Sequence, residues 1–133
     1  MNKQEHINYW LESSENDWLS ALEIAAKNDR KQMALFLGHL SLEKLLKAIY
    51  VKLFDQTPPF NHDLALLAEK VKLPLSDEIT SELKIINEFN IQTRYPEYKN
   101  DFYKRCTKEF VDLEIKRIER LREWIKSILV NTQ

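Results

Sequence analysis

Residues 32–64 read QMALFLGHLSLEKLLKAIYVKLFDQTPPFNHDL, a helical pattern that runs into a proline-bearing turn. From Gln32 to Phe54 there is no proline and a single glycine, and Leu35, Leu42, Leu46, Ile49 and Leu53 recur with helical spacing. At about 100° per residue a second apolar group, Met33, Leu37, Leu40 and Val51, projects elsewhere. Only a strip around Ser41, Ala48 and Lys52 is left for solvent, so this helix is expected at the centre of the protein. Between the two apolar arcs the same wheel gathers Gln32, Phe36, His39, Glu43, Lys47 and Tyr50. Ionisable groups inside a bundle need partners, so this line is either an internally satisfied ion pair that fixes helix register or a functional polar seam.

Outward from that stretch the chain stays helical. Ile7, Leu11, Trp18, Leu22 and Ala25 form the apolar side of a first helix from about Gln4 to Lys27, with Glu12, Glu15 and Ser20 on the other side. Asp17 falls near the core on the stripe of Trp10, Ser14, Ala21 and Ile24, where Lys47 is a candidate partner. Asn28 and Asp29 interrupt the pattern, and Asp29 can cap the central helix. Beyond Pro58 and Pro59, Asn61 is the expected cap of a short third helix carrying Leu64, Leu67, Ala68 and Val71. Ser76 is the expected cap of a fourth, with Ile79, Leu83, Ile86 and Phe89 inward, fading near Asn90. Ile91 to Asp101 then forms a polar and aromatic connection in which Pro96 pushes Tyr95 towards extended geometry. A long last helix from about Thr107 to Val130 turns Val111, Ile115, Ile118, Leu121, Ile125 and Leu129 inward, beside Phe110, Leu113, Trp124 and Ile128. Its charges, such as Glu114 with Arg117 and Glu119 with Arg122, have the spacing of local pairs on a solvated face.

These elements make an all-α, up-and-down bundle of four to five helices, with residues 1–133 forming one domain. At that length a chain buries roughly two-thirds of its unfolded surface. With 44% hydrophobic and 31% charged residues the composition is that of a folded globule. Twenty basic and 21 acidic side chains give a net charge of −1, which excludes a global basic field, so any nucleic-acid contact must be local. The lone Cys106 cannot form an internal disulfide, and its position near a helix start reads as packing rather than as a nucleophile. No leader-like segment opens the sequence and no apolar run approaches the roughly 18 residues of a membrane span, so the expectation is a cytoplasmic protein.

Motifs for common chemistries are missing. One glycine excludes a glycine-rich phosphate loop, and His6, His39 and His62 are not at metal-binding spacing. Paired carboxylates such as Asp17 and Glu43 could do acid–base work if their pKa values were driven apart, but they also read as structural partners. No metal and no cofactor is expected.

Trp18 and Ala21 on the first helix, FLGHLSLEKLLKAIY at 36–50, NHDL at 61–64 and TRYP at 93–96 before a long last helix together resemble the HEPN domain (higher eukaryotes and prokaryotes nucleotide-binding). The resemblance covers nearly the whole chain, and it implies a helical bundle that commonly dimerises. It also implies a minimal nucleotidyltransferase as partner, in a toxin–antitoxin or defence pair, and a nucleotide or RNA as ligand. Many HEPN proteins are metal-independent ribonucleases that use an arginine and a histidine separated by four to six residues. Counting from Arg94, the histidine would stand at 99, 100 or 101, which are Lys99, Asn100 and Asp101. Arg94 therefore matches half a motif, and general acid–base cleavage lacks its usual imidazole.

The expectation is a non-cleaving, homodimeric module that binds a nucleotide or RNA phosphate, with Arg94, Tyr95, Lys47, His62, Glu43 and Asp17 as candidate ligand residues and no catalytic residue assigned. A guanidinium clamps phosphate and a tyrosine can stack a base. The alternatives are a metal-independent ribonuclease toxin using Arg94, and a dimeric scaffold that only docks another protein.

Overall fold

A computed structural model describes residues 1–27 and 29–133. Six helices follow one another, with no strand among the described residues: α1 (Lys3–Ala26), α2 (Lys31–Phe54), α3 (Leu64–Lys70), α4 (Asp77–Arg94), α5 (Pro96–Arg105) and α6 (Lys108–Asn131). The all-α bundle expected from the periodicity is the observed architecture. Central α2 packs against every other helix. Antiparallel α1 sets Trp10 beside Lys47 and Ser14 under Ser41. On another side α6 runs parallel to α2, so that Ile118 meets Gly38, Arg122 meets Ser41 and Lys52 donates to the Leu129 carbonyl at 2.8 Å.

That contact corrects the solvent strip expected on α2. Ser41 and Ala48 are fully buried and Lys52 is half-buried, because the small side chains of Gly38, Ser41 and Ala48 let α6 approach closely. A Cβ added at Gly38 would lie 2.6 Å from Ile118 Cδ1. Conversely Leu53, at the projecting end of α2, and Leu113, on the outer side of α6, are exposed rather than inward.

Several boundaries differ from the sequence expectations. Asp29 does not cap α2: the cap position is Arg30, in left-handed backbone (φ 48°), with no side-chain cap bond. Asn28 lies outside the described residues. Asp63, not Asn61, caps α3; its Oδ1 accepts from Leu66 N, while Asn61 Oδ1 accepts from Asp63 N and shapes the turn before it. Ser76 and Thr107 cap α4 and α6 as the sequence suggested. The presumed connection after Asn90 is helical: α4 continues to Arg94, Tyr95 is extended, and Pro96 starts α5 at the one helical position where its missing N–H costs nothing. Phe102 anchors α5 by stacking on Phe89 at 5.8 Å between ring centres.

The charged side of α6 is only partly solvated. Glu114 is buried beside Arg117, at 2.9 Å. Arg122 turns inward to Ser14 Oγ at 2.7 Å and Glu15 at 3.0 Å, with Trp18 stacked nearby, instead of pairing with Glu119. No helix among the described residues is long and apolar enough to cross a membrane.

Candidate functional site

Three turns of α2 and the loop leading to α3 build a polar centre. His39, Glu43 and Lys47 stand four residues apart on one face of α2, and all three are buried. Lys47 Nζ donates to Glu43 Oε2 at 2.9 Å. The other carboxylate oxygen accepts from His62 Nδ1 at 2.8 Å, which fixes the imidazole and leaves its Nε2 without a partner among the described residues. The α2–α3 loop is held a second time, because His39 Nε2 lies 2.9 Å from the His62 carbonyl. Donation there makes His39 Nδ1 an acceptor, and Asn90 Nδ2 approaches it at 3.4 Å. Burial pulls the His39 pKa below 6.5, against the upward pull of the Glu43 charge and the His62 carbonyl bond, and the neutral ring fits this pattern.

Asn90 extends the chain of contacts to the surface, where its Oδ1 accepts from Arg94 at 3.4 Å. Arg94 is exposed, and among the described residues no carboxylate pairs with it. Arg94 and Tyr95 at the end of α4, His62 on its loop, and Asn87 and Asn90 line one cleft of about 220 Å³. Asp63 lies at the same cleft, where its Oδ1 caps α3 and accepts from Asn87 Nδ2 at 2.9 Å, so the cleft also carries one exposed carboxylate. The cleft thus presents a guanidinium and the amides of Asn61, Asn87 and Asn90 as donors to an oxyanion, while His62, whose Nδ1 is given to Glu43, offers an acceptor nitrogen.

The six sequence candidates do not all reach it. His62, Arg94 and Tyr95 line the cleft. Glu43 and Lys47 lie behind His62, and Lys47 is covered by the rings of Trp10 and Phe60, at 5.2 and 5.9 Å. They act on the cleft through the position and field of His62. Asp17 stands apart from Lys47 and pairs with Lys44 at 2.7 Å, since the crossing of α1 over α2 brings a different lysine to it. Sequence reasoning missed Asn87 and Asn90 as site residues. The available signal was their spacing with Arg94, at i, i+3 and i+7 on one helix face.

The HEPN domain family model matches residues 7–128. The chain belongs to the HEPN family. That match takes in α2, the His62 loop and Arg94, so the cleft lies wholly inside the HEPN region. No curated protein and no solved structure matches the chain. Membership supports a nucleotide- or RNA-related or toxin–antitoxin-type role at the level of the family. Among the described residues no group of three or more His, Cys, Asp or Glu side chains is gathered to hold a metal ion.

Proposed function

We propose that this chain, as one HEPN domain, binds the phosphate of a nucleotide or of RNA in the Arg94 cleft and serves as the partner of a minimal nucleotidyltransferase in a toxin–antitoxin or defence pair. The observation that carries the reading is the exposed guanidinium of Arg94, which no carboxylate among the described residues pairs with, on the same cleft as His62. A charge-assisted bond from Arg94 would contribute roughly 1.5–3 kcal/mol. Half-exposed Tyr95 offers a ring for stacking beside it. Family membership supports a homodimer, as do the apolar groups at the rim: Phe60 is 94% exposed, and Ile91 and Tyr95 are also open. A cytoplasmic setting belongs to the same reading.

A metal-independent ribonuclease is the second reading, favoured by one specific geometry. Glu43 holds His62 by Nδ1, which makes Nε2 the ring's proton acceptor, and His62 lines the cleft with Arg94. This imidazole comes from the α2–α3 loop, not from the residues after Arg94 that would carry the usual motif.

A labelled single-stranded RNA, incubated in EDTA with wild type, Arg94→Ala and His62→Ala, tests both. Binding by anisotropy that weakens about tenfold or more in Arg94→Ala, without cleavage, is the expected result. Cleavage by wild type that both variants lose would put the ribonuclease first. Equal RNA affinity in wild type and Arg94→Ala would sink the phosphate reading.

A further inference from the structure

One run of hydrogen bonds leads from the cleft into the core. Arg94 Nη1 lies 3.4 Å from Asn90 Oδ1, Asn90 Nδ2 lies 3.4 Å from His39 Nδ1, and His39 Nε2 lies 2.9 Å from the His62 carbonyl oxygen. The two ends of the run fix every donor between them. A carbonyl oxygen only accepts, so His39 Nε2 carries the proton and the neutral ring accepts at Nδ1. A guanidinium only donates, so Asn90 turns its oxygen to Arg94 and its NH2 group to His39. His39 is fully buried and Asn90 is 4% exposed, so these groups depend on one another rather than on bulk water. Both 3.4 Å contacts are long for hydrogen bonds, and neither end grips the amide firmly.

A second proton on His39 reverses this order. Nδ1 becomes a donor and meets the Asn90 NH2 group, donor against donor. Half a turn of the Asn90 amide restores that bond, with Oδ1 now accepting from Nδ1, but it sets the NH2 group against the guanidinium. The bond to Arg94 is then lost, and among the described residues the Arg94 side chain makes no other. The protonated ring is provided for: on α2 the Glu43 charge favours it, and on the α2–α3 loop the His62 carbonyl accepts from it while the His62 ring opposes it. From α4 it faces the neutral amides of Asn87 and Asn90. Lys47, paired with Glu43, and Arg94, bonded to Asn90, are the cations of the network. Burial outweighs the favourable groups and holds the pKa below 6.5, so the ring is neutral at pH 7 and gains its proton only in acid.

We propose that Asn90 is a two-position amide switch: with neutral His39 it tethers Arg94, and with protonated His39 it turns over and frees the guanidinium. Asn90 and His39 are thus positioning residues that act through Arg94. The coupling is reciprocal, because an anion that draws Arg94 away from Asn90 lets the amide turn and eases the protonation of His39. The use of the freed guanidinium on a ligand rests on the phosphate reading of the Arg94 cleft, whereas the switch itself does not.

NMR of the ligand-free protein tests the switch, on wild type, His62→Gln, His39→Gln and Asn90→Ala between about pH 7.5 and 5. Histidine ring signals give each midpoint, while the Asn90 side-chain amide and the Arg94 Nε–H are followed in parallel. In wild type and His62→Gln the Asn90 amide should shift, and the order of Arg94 Nε should fall, both with the His39 midpoint below 6.5. His39→Gln should lack that transition, and Asn90→Ala should leave Arg94 mobile at every pH. An Asn90 amide that stays fixed while His39 titrates would overturn the proposal. So would an Arg94 that follows the His62 midpoint, or a His39 that takes no proton before the protein unfolds. Anisotropy with the labelled RNA separates the switch from the phosphate reading. Affinity should rise roughly fivefold or more from about pH 7.5 to 5.5 in wild type and by less in Asn90→Ala. Equal gains in the two proteins would overturn the coupling to ligand. No RNA binding at either pH would overturn the phosphate reading alone, since the ligand-free spectra judge the switch.

Discussion

His62 Nδ1 lies 2.8 Å from the Glu43 carboxylate, whose second oxygen holds Lys47 at 2.9 Å. One buried anion therefore positions a loop imidazole and neutralises a lysine of its own helix. The α2–α3 loop, non-helical from Gln56 to His62, is pinned at the residue that lines the cleft.

Removing that anion should unfold the protein more readily. Glu43→Gln leaves the Lys47 ammonium buried and unpaired, with an expected loss of about 3–5 kcal/mol in urea denaturation. The double variant Glu43→Leu, Lys47→Met should recover most of the loss, since an apolar pair needs no compensation. A double variant as unstable as Glu43→Gln would contradict this account.

Stability should fall in mild acid through His39. The unfolded chain protonates this residue near 6.5, while burial keeps the folded pKa lower. Below 6.5 the unfolded state therefore binds the extra proton, and stability present above that pH is lost progressively as pH drops towards the folded value. His39→Gln removes the titration, so its stability should depend less on pH between about 7 and 5. Identical pH slopes for the two proteins would show that His39 is not responsible.

Gly38→Ala is expected to destabilise even though alanine favours helix by about 1 kcal/mol. The new methyl meets Ile118 Cδ1 at 2.6 Å in a filled core, where overpacking costs about 1–3 kcal/mol. Ile118→Val deletes the opposing methyl, so a double-mutant cycle should give a favourable coupling between the two changes. Strict additivity would mean that α6 moves aside freely.

Arg122 and Glu15 form an ion pair whose partners should respond unequally. Arg122 is 1% exposed and joins α1, α2 and α6 through Ser14, Glu15 and the Ser41 carbonyl. Glu15→Ala, which leaves the buried guanidinium without its carboxylate, should cost about 3–5 kcal/mol, whereas Arg122→Met, which leaves only the half-exposed Glu15 unpaired, should cost less. Thermal melts giving equal shifts would locate the energy in the ion pair rather than in the buried guanidinium.

Cys106 should resist alkylation in the folded protein. With its thiol pushed up to about 11, the thiolate fraction at pH 8 is on the order of one in a thousand. Iodoacetamide labelling followed by mass spectrometry should be slow in buffer and fast in denaturant. Rapid labelling of the native protein would show the thiol to be open.

Much of the site was visible before folding. His39, Glu43 and Lys47 share a line because four residues nearly complete a helical turn, and a mixed line between two apolar arcs marks a buried polar seam. Asn87, Asn90 and Arg94 repeat that logic on α4, although a sequence reading that ends the helix near Asn90 separates Arg94 from them. The boundary was obscured because Pro96 reads equally as a breaker of α4 and as the first residue of α5.

Sequence alone determined the helical class, the central place of α2 and the family, because each rests on spacing along one chain segment. Tertiary structure decided which charged groups meet. Asp17 found Lys44 instead of Lys47, Arg122 left the solvated face for Ser14 and Glu15, and Glu43 gained His62 across 19 positions. Helical periodicity fixes the face on which a side chain stands, whereas its partner depends on the crossing and axial register of a second helix. Those are set here by contacts as particular as Ile118 settling against Gly38.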